Sequence, residues 1–353
     1  MITLGIETSC DETSVSVTSS RTVLSNVVTS SVHLHKKYGG VVPEIASRCH
    51  VEYIIEVLSN ALERSGKNLK DVDLVAVTNG PGLVGALLIG ISLAKAVSYA
   101  LGVPLIGVNH ILAHLYSPFL TEEGLSFPFV GLVVSGGHTA LFYCRDINDQ
   151  KVLGQTQDDA VGEAYDKVAK LLGLGYPGGP IIEKMAARST GKNKITFPRS
   201  YLGKDSLDFS FSGIKTSVLY YMQKVKNPDA GVVSDVCHAF QEAVLEVLAE
   251  KTCLACDMEK AKKIVIGGGV AANSGLRQKL LSRSALSGIK VYFPEMKYCM
   301  DNAAMVGALG EALYKKGCRS NMYLTAEPNL IPTRKSMEEG ASDFSPRRLH
   351  RPN

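Results

Sequence analysis

Short apolar runs broken by glycine and polar clusters alternate along the chain with longer runs of helical period. That alternation predicts an α/β fold. Two segments read as strand, tight turn, strand: ITLGIETSCDETSVSVTSS near the N-terminus and FVGLVVSGGHTALFYC from Phe129. Two others read as strand, glycine loop, helix: DLVAVTNGPGLVGALLIGISLAKAV from Asp73 and KKIVIGGGVAANSGLRQKLL from Lys262. The order is hairpin, glycine loop, hairpin, glycine loop. It predicts a duplicated unit that divides between Tyr116 and Phe129, with a ligand in the cleft between halves. One large sheet with coincidental glycines is the alternative. On the first reading, residues 1–118 form an N-terminal half with the acidic hairpin and an HxxxH helix. Residues 119–331 form a C-terminal half whose last helix can pack back on the first, and 332–353 are a polar, mobile tail.

Composition narrows the class. The 353 residues are 45% hydrophobic and 20% charged, which excludes a disordered chain, a fibrous repeat and a small disulfide scaffold. The net charge of +4 permits an anionic partner without requiring one. The most apolar stretch, Leu83 to Ala94, ends at Lys95, short of the roughly 20 residues a bilayer needs. The N-terminus carries neither a basic n-region nor an Arg-rich transit pattern, so a cytoplasmic protein with no membrane contact is expected. Of eight cysteines only Cys253 and Cys256 form a CxxC pair, and it lies within a helical pattern. Reduced thiols are therefore expected rather than a zinc knuckle.

The HxxxH of NHILAHLYSPF is the sharpest chemical signal. His110 and His114 lie four apart, on one helix face, and can ligate one metal. Asn109 is placed to cap that helix. Ile111 stands where a zinc protease of the HExxH type carries its general-base glutamate, which disfavours that chemistry. Two half-buried histidines on an interdomain helix are the bland alternative. Asp301, at the start of the helical run in MDNAAMVGALGEAL, is a candidate third ligand, or else an N-cap. A His₂Asp set suits Zn²⁺ or Fe²⁺.

Weaker signals surround it. In SGGH, Gly136 and Gly137 can adopt positive φ and let backbone N–H groups approach an anion, though a plain hairpin turn reads the same way. GGGVAAN opens a helix and suits a phosphate or an adenosine, while Pro81 makes NGPGLVG as much a structural turn as a ligand loop. Glu7, Asp11 and Glu12 crowd the first hairpin, as magnesium holders or as a solvated turn. Asp158, Asp159, Glu163 and Asp166 precede the rigid turn Tyr176 to Pro180, lining a cleft or serving a helix N-terminus. Lys184, Arg188, Lys192, Lys194 and Arg199 form a basic stretch, either a phosphate-backbone surface or a solvated face. Phe209 and Phe211 alternate with small polar residues in DFSFSGIKTS, which predicts a strand with one buried face.

Taken in order, GIETSCDETSVSV, HKKYGGVVPEIASRCH, NHILAH, VSGGHTALF, GEAYDKVAKLLGLGYPGGP, DFSFSGIKTS, GGGVAAN and MDNAAMVG resemble the bacterial tRNA N6-adenosine threonylcarbamoyltransferases, a family once labelled O-sialoglycoprotein endopeptidases. The resemblance runs from Gly5 to about Gly307, nearly the whole chain. It implies an actin-like ATPase fold of two related ribonuclease-H-like halves around a central cleft. It implies one divalent metal ion per subunit, Fe²⁺ with Zn²⁺ as the alternative, held by His110, His114 and Asp301. It implies ATP or threonylcarbamoyl-AMP as nucleotide ligand, with Mg²⁺ as a companion ion. Substrate contacts are implied for Val133, Val134, Ser135, Gly136, Gly137, Asp166, Gly179 and Asn273, and for Glu183, where relatives often carry an aspartate. Asp11 matches an acidic position tied to activity. The implied reaction moves threonylcarbamoyl from its adenylate to N6 of adenosine 37 in tRNAs that read codons beginning with A. The implied partners are that tRNA, a paralogous actin-fold subunit and a small P-loop ATPase. Two other readings compete: a metallo-endopeptidase, and a nucleotide-binding regulatory module without transfer chemistry.

Overall fold

A computed structural model describes residues 1–203 and 205–330; the predicted tail, 332–353, lies outside them. The strands are β1 (Thr3–Glu7), β2 (Glu12–Ser19), β3 (Thr22–Ser30), β4 (Leu74–Gly80), β5 (Leu105–Asn109), β6 (Phe129–Val134), β7 (Thr139–Asp146), β8 (Asp149–Gln155), β9 (Lys263–Gly267) and β10 (Lys290–Tyr292). The helices are α1 (Val32–His35), α2 (Pro43–Ser65), α3 (Val84–Leu101), α4 (His110–Tyr116), α5 (Val161–Leu171), α6 (Gly178–Ala186), α7 (Ser212–Lys224), α8 (Ala230–Glu259), α9 (Ser274–Leu286) and α10 (Ala303–Lys315).

The strands form two five-stranded sheets, ordered β3-β2-β1-β4-β5 and β10-β9-β6-β7-β8. Both follow one scheme. Three antiparallel strands come first, β1–β2–β3 and β6–β7–β8. Two parallel strands are then added beside the first of each set, β4–β5 and β9–β10. A parallel step needs a crossover, which α3 and α9 supply. The outer faces of the sheets are covered separately. Leu87, Ile91, Ala94 and Val97 of α3 pack with Leu4, Ile6 and Val75 on one side. Tyr165, Phe240, Val244 and Leu276 pack with Val130, Leu132 and Ile266 on the other. The apolar run of α3 is thus partly core, 39% of it buried.

The inner faces meet across a shared core. After β5 the chain enters α4, which packs on β6 and β9 of the other sheet; the stretch after β10 leads to α10, which packs on β1, β2 and β4 of the first. Ile106, Leu112, Leu115, Phe129, Val133, Val265, Met305 and Leu309 fill the space between them. Close approach depends on missing side chains. A Cβ on Gly5 would sit 2.3 Å from the Ala303 carbonyl oxygen, and one on Gly267 would sit 2.5 Å from the His114 carbonyl oxygen.

One expectation fails here. DFSFSGIKTS forms no strand: Phe209 makes a single bridge to Thr156, and α7 begins at Ser212. Phe209 and Phe211 are buried as expected, but the hydrogen bonds go elsewhere. The Asp158 carboxylate accepts from Ser210 Oγ at 2.5 Å, Phe211 N at 2.8 Å and Ser212 Oγ at 2.8 Å. The buried Lys251 ammonium donates to the Asp208 carbonyl. A carboxylate that satisfies this segment locally leaves it no need of a ladder.

Gly5→Ala tests the close packing. Backbone meets the new methyl at Ala303 O and at Gly307 N (2.8 Å), so neither neighbour can rotate away. Thermal unfolding is expected to show a loss of about 1–3 kcal/mol, the range for overpacking.

Candidate metal and substrate site

The site begins at the helix exchanged between the sheets. Asn109 caps α4, its Oδ1 accepting from Leu112 N at 3.1 Å, as the sequence predicts. Its Nδ2 also donates to the Leu330 carbonyl at 3.2 Å, tying the helix start to the last described residue. The rings of His110 and His114 then stand one turn apart, with centroids 4.6 Å from each other. Asp301 reaches them from the loop before α10. Its Oδ1 lies 3.0 Å from His114 Nε2 and 3.6 Å from His110 Nε2. The capping alternative for Asp301 is overturned: Asn302 caps α10, accepting from Met305 N at 3.1 Å.

Behind His110 stands an acid whose role the sequence did not disclose. Glu7, fully buried at the end of β1, places Oε2 3.1 Å from His110 Nδ1. Ser9 N donates to Glu7 Oε1 at 2.6 Å and Thr78 Oγ1 donates to Oε2 at 2.5 Å. Burial alone would raise the Glu7 pKa, but the facing imidazole outweighs it and holds the carboxyl below its ordinary range. Burial likewise disfavours a charged His110, yet Glu7 and Asp301 together push its pKa up to about 9. Asp301 is held well below the carboxylate range, the two histidines outweighing burial. The excess of buried negative charge is what a cation would neutralise.

The donor set fits one. A ligand atom from each of His110, His114 and Asp301 lies within 4.8 Å of the others, so the three could hold a metal ion. His114 Nδ1 is buried without a partner. Two imidazoles and a carboxylate suit a zinc- or iron-type divalent cation, and Glu7 is the outer carboxylate that orients a ligating histidine.

The SGGH turn adjoins this cluster. Val133 and Val134 are buried in β6; Ser135 N donates to His138 O at 2.8 Å and His138 N to Ser135 Oγ at 3.1 Å. Gly136 and Gly137 are exposed, and no atom lies within 4 Å of a Cβ built on either. Neither glycine adopts the positive φ expected of it. The turn is ordinary in backbone angle, and its glycines leave open space rather than relieve strain. His138 ends the turn; burial first, then the nearby His110 and His114, lower its pKa to about 4. The first turn of α5 closes behind, with Val161 N donating to Thr139 Oγ1 at 2.8 Å and Gly162 N to Ser135 O at 3.2 Å. The GGG loop packs against the same strand end: Gly268 has φ +94°, and a Cβ there would lie 2.4 Å from Val134 O.

The remaining candidates divide between the hairpin and the outer helices. Asp11 is buried in the β1–β2 turn. Beside it Glu12 is half-buried, and burial, then the charges of Asp301 and Asp11, hold its carboxyl well above its usual range. Asp166 Oδ1 accepts from Gly178 N at 2.6 Å and so sets the turn that carries Gly179. Burial, then Glu163 and Asp11, raise the Asp166 pKa. Glu183 Oε1 accepts from Ser274 N at 2.8 Å and Ser274 Oγ at 2.6 Å. Asn273 caps α9 through Leu276 N at 2.9 Å and donates to Gln241 Oε1 at 3.0 Å. Glu183 and Asn273 therefore converge on the start of α9.

In the basic stretch Arg199 is paired with Glu246 at 2.7 and 2.9 Å. Lys184, Arg188, Lys192 and Lys194 are exposed. Their loop is anchored by the buried Asp235 of α8, which accepts from Ser189 Oγ (2.6 Å), Thr190 N (3.2 Å), Gly191 N (3.2 Å), and Asn193 N and Nδ2 (3.1 and 2.7 Å). The cysteines are all free thiols, as expected.

Known proteins resemble this chain in sequence and in fold. A sequence model of the TsaD family, tRNA N6-adenosine threonylcarbamoyltransferase, matches residues 22–308. A tRNA N6-adenosine threonylcarbamoyltransferase of Dictyoglomus turgidum is 50% identical over 333 residues, covering 94% of this chain and 99% of the relative. One of Thermosipho africanus is 50% identical over 330 residues, covering 94% and 99%. Among solved structures, full-length HypF in its phosphate- and nucleotide-bound form superposes with a TM-score of 0.60 at 16% identity, over 89% of this chain and 46% of that one. Component A of the Acidaminococcus fermentans (R)-2-hydroxyglutaryl-CoA dehydratase superposes with a TM-score of 0.51 at 15% identity, over 90% and 98%. These two likenesses show the fold, the actin-like ATPase fold.

Two outcomes are expected. Elemental analysis of purified protein will find its divalent metal lost in His110→Ala, His114→Ala and Asp301→Ala, while Glu7→Gln keeps the ligands and binds about 10–100-fold more weakly in a chelator competition. Asp235, whose pKa is lowered to about 2 chiefly by Ser189 Oγ, is ionised throughout the neutral range. Its folded pKa is depressed, so its stabilisation is present above the ordinary carboxylate range and is lost as pH falls through about 2. Carboxyl-carbon NMR will place its midpoint there, and Asp235→Asn will loosen residues 189–193 in hydrogen exchange.

Proposed function

The chain belongs to the tRNA N6-adenosine threonylcarbamoyltransferase family, and from that premise we propose how its residues divide the work. As a member it is a transferase that modifies tRNA at N6 of an adenosine. The proposal adds the donor, threonylcarbamoyl-AMP, and the acceptor, adenosine 37 of tRNAs reading codons that begin with A. It places the reaction in the cytoplasm. It takes residues 1–118 and 119–331 as the two working halves.

The chemistry is a substitution at the carbamoyl carbon. N6 forms the new N–C bond, the C–O bond to AMP breaks, and one proton leaves N6. The adenine amine is a weak nucleophile because its lone pair is delocalised, while AMP is a good leaving group. The site must therefore supply orientation and charge stabilisation rather than a covalent intermediate. His110, His114 and Asp301 hold the divalent ion, Fe²⁺ by preference and Zn²⁺ as the alternative. That ion supplies Lewis acidity toward the donor's oxygens. The Ser135 N–H is already given to the His138 carbonyl and only shapes the turn. The backbone N–H groups of Gly136 and Gly137, which follow Val133, Val134 and Ser135, steady the donor phosphate. Their open surroundings support this role, since no side chain competes for the space. Asp166, Gly179, Glu183 and Asn273 surround the nucleoside. Asp11 acts on N6, either orienting the amine or taking its proton. The target base lies in an anticodon loop, where unstacking is cheap.

Partners complete the reading. Lys184, Arg188, Lys192 and Lys194 meet the tRNA backbone, and a small P-loop ATPase serves the cycle. A paralogous actin-fold subunit docks on the outer pair α2 and α3. The support is an exposed apolar strip: Val51 and Ile55 are 60% and 63% exposed on α2, and Val84 and Leu88 are 53% and 49% exposed on α3. The helices touch where a Cβ on Gly85 would meet Ser47 Oγ at 2.5 Å.

The convergence of His110, His114 and Asp301 beside the SGG turn carries the reading. Nucleoside mass spectrometry of bulk tRNA tests it in a host depleted of this protein. N6-threonylcarbamoyladenosine will fall, the native gene will restore it and His110→Ala will not. In vitro, Lys184→Glu/Arg188→Glu/Lys192→Glu will raise KM for tRNA about tenfold at low salt and flatten its salt dependence, with kcat retained. Unchanged modification in a host without a second copy of the enzyme counts against the reading.

A further inference from the structure

The motif HKKYGGVVPEIASRCH opens on His35 and closes on His50, and neither residue has a part in the site described above. Both rings are fully buried, as are Ser31 and Thr13 beside them. Their hydrogen bonds fix their tautomers. His35 Nδ1 accepts from Val42 N at 3.2 Å, so a neutral ring carries its proton on Nε2. Nε2–H then donates to Ser31 Oγ at 3.1 Å, and the Ser31 hydroxyl donates to the Asp11 carbonyl at 3.0 Å. Ser31 N donates to the same carbonyl at 3.0 Å. His50 Nε2 lies 2.9 Å from the Cys10 carbonyl, which can only accept, so the proton is again on Nε2. His50 Nδ1 accepts from Thr13 Oγ1 at 2.8 Å. Burial outweighs the opposing pull of that carbonyl bond and holds the His50 pKa below the ordinary imidazole range.

The carbonyls so held are those of Cys10 and Asp11. They belong to the two peptide planes on either side of the Asp11 Cα. A residue has two soft backbone angles, and pinning both flanking planes fixes both. We infer that His35 and His50 are positioning residues for the transfer: each, as a neutral Nε2–H tautomer, ends a buried hydrogen-bond chain on one of the carbonyls flanking Asp11, and together they fix the backbone angles from which its side chain is aimed. The two arms come from different elements, α1 and α2, so the hairpin turn is gripped from outside the sheet. A turn between antiparallel strands has no such requirement of its own; many adopt their angles unaided. The inference rests on the reading of Asp11 as the group that acts on N6.

The test is kinetic, with the full-length protein and its partners, threonylcarbamoyl-AMP and tRNA. His50→Phe keeps the ring's bulk and removes both hydrogen bonds. It is expected to lower kcat about tenfold to hundredfold, as misplacement of a reacting group does, with KM and bound metal unchanged. His50→Gln keeps one donor and one acceptor and is expected to recover most of that loss. Asp11→Ala separates the two ideas. If it is slow, His50→Phe added to it should cost nothing more, because both act through one carboxylate. Native kcat in His50→Phe, losses that multiply in the double variant, or no recovery in His50→Gln would each overturn the positioning role. Full activity in Asp11→Ala would instead overturn the reading of Asp11, and this inference with it. Ring-nitrogen NMR gives an answer even if His50→Phe fails to fold: neutral Nε2–H signals for His35 and His50 at neutral pH are required, and an Nδ1–H tautomer or a cation contradicts the chain.

Discussion

Two helices that leave one sheet to cover the other are the constraint from which the rest follows. Neither α4 nor α10 could bury its apolar residues against its own half alone. Leu112 and Leu115 pack with Phe129, Val133 and Val265, while Met305 and Leu309 pack with Ala76 and Ile106. Because the exchange is reciprocal, the start of α4 and the approach to α10 are brought to one place. That place is where His110, His114 and Asp301 meet. The site is thus a consequence of how the core is shared, and its geometry is as stiff as that core. A movement of the halves that disturbed this packing would also part Asp301 from the histidines.

The second constraint is charge. Glu7 is fully buried and Asp301 partly so, with only the imidazoles to face them. Isolated buried carboxylates are costly, and pairing with His110 offsets part of that cost. A divalent ion would offset more, and Thr78 and Ser9 fix the outer acid whether or not one is bound. The same logic runs through the hairpin. Burial and the charges of Asp301 and Asp11 raise the Glu12 carboxyl well above its ordinary range. Acids packed this closely need their backbone fixed, which gives a physical reason for two buried histidines behind the Asp11 turn.

Much of the fold was legible, because periodicity survives without knowledge of contacts. Repeated hairpin and glycine-loop patterns announced two sheets of one scheme, and Asn109 announced the start of α4. Other features depended on partners distant in sequence. Phe209 and Phe211 alternate like a strand, yet Asp158, some 50 residues earlier, takes their segment's hydrogen bonds. Arg199 pairs with Glu246, 47 positions on, which no local pattern announces. Asp301 and Asn302 are adjacent, and only geometry shows which of them caps the helix.

By itself the sequence determined the class of fold, the spacing of the two histidines on one helix face and, through its ordered motifs, the family. These are local matters: side-chain period, helix pitch and the identity of short runs. Tertiary structure alone decided that Asp301 comes to His114 from 187 positions away, that Glu7 stands behind His110, and that His35 and His50 reach the carbonyls around Asp11. Each of these is a contact between chain segments that share no period. A one-dimensional pattern carries no distance between such segments, and it is the burial of a common core that sets it.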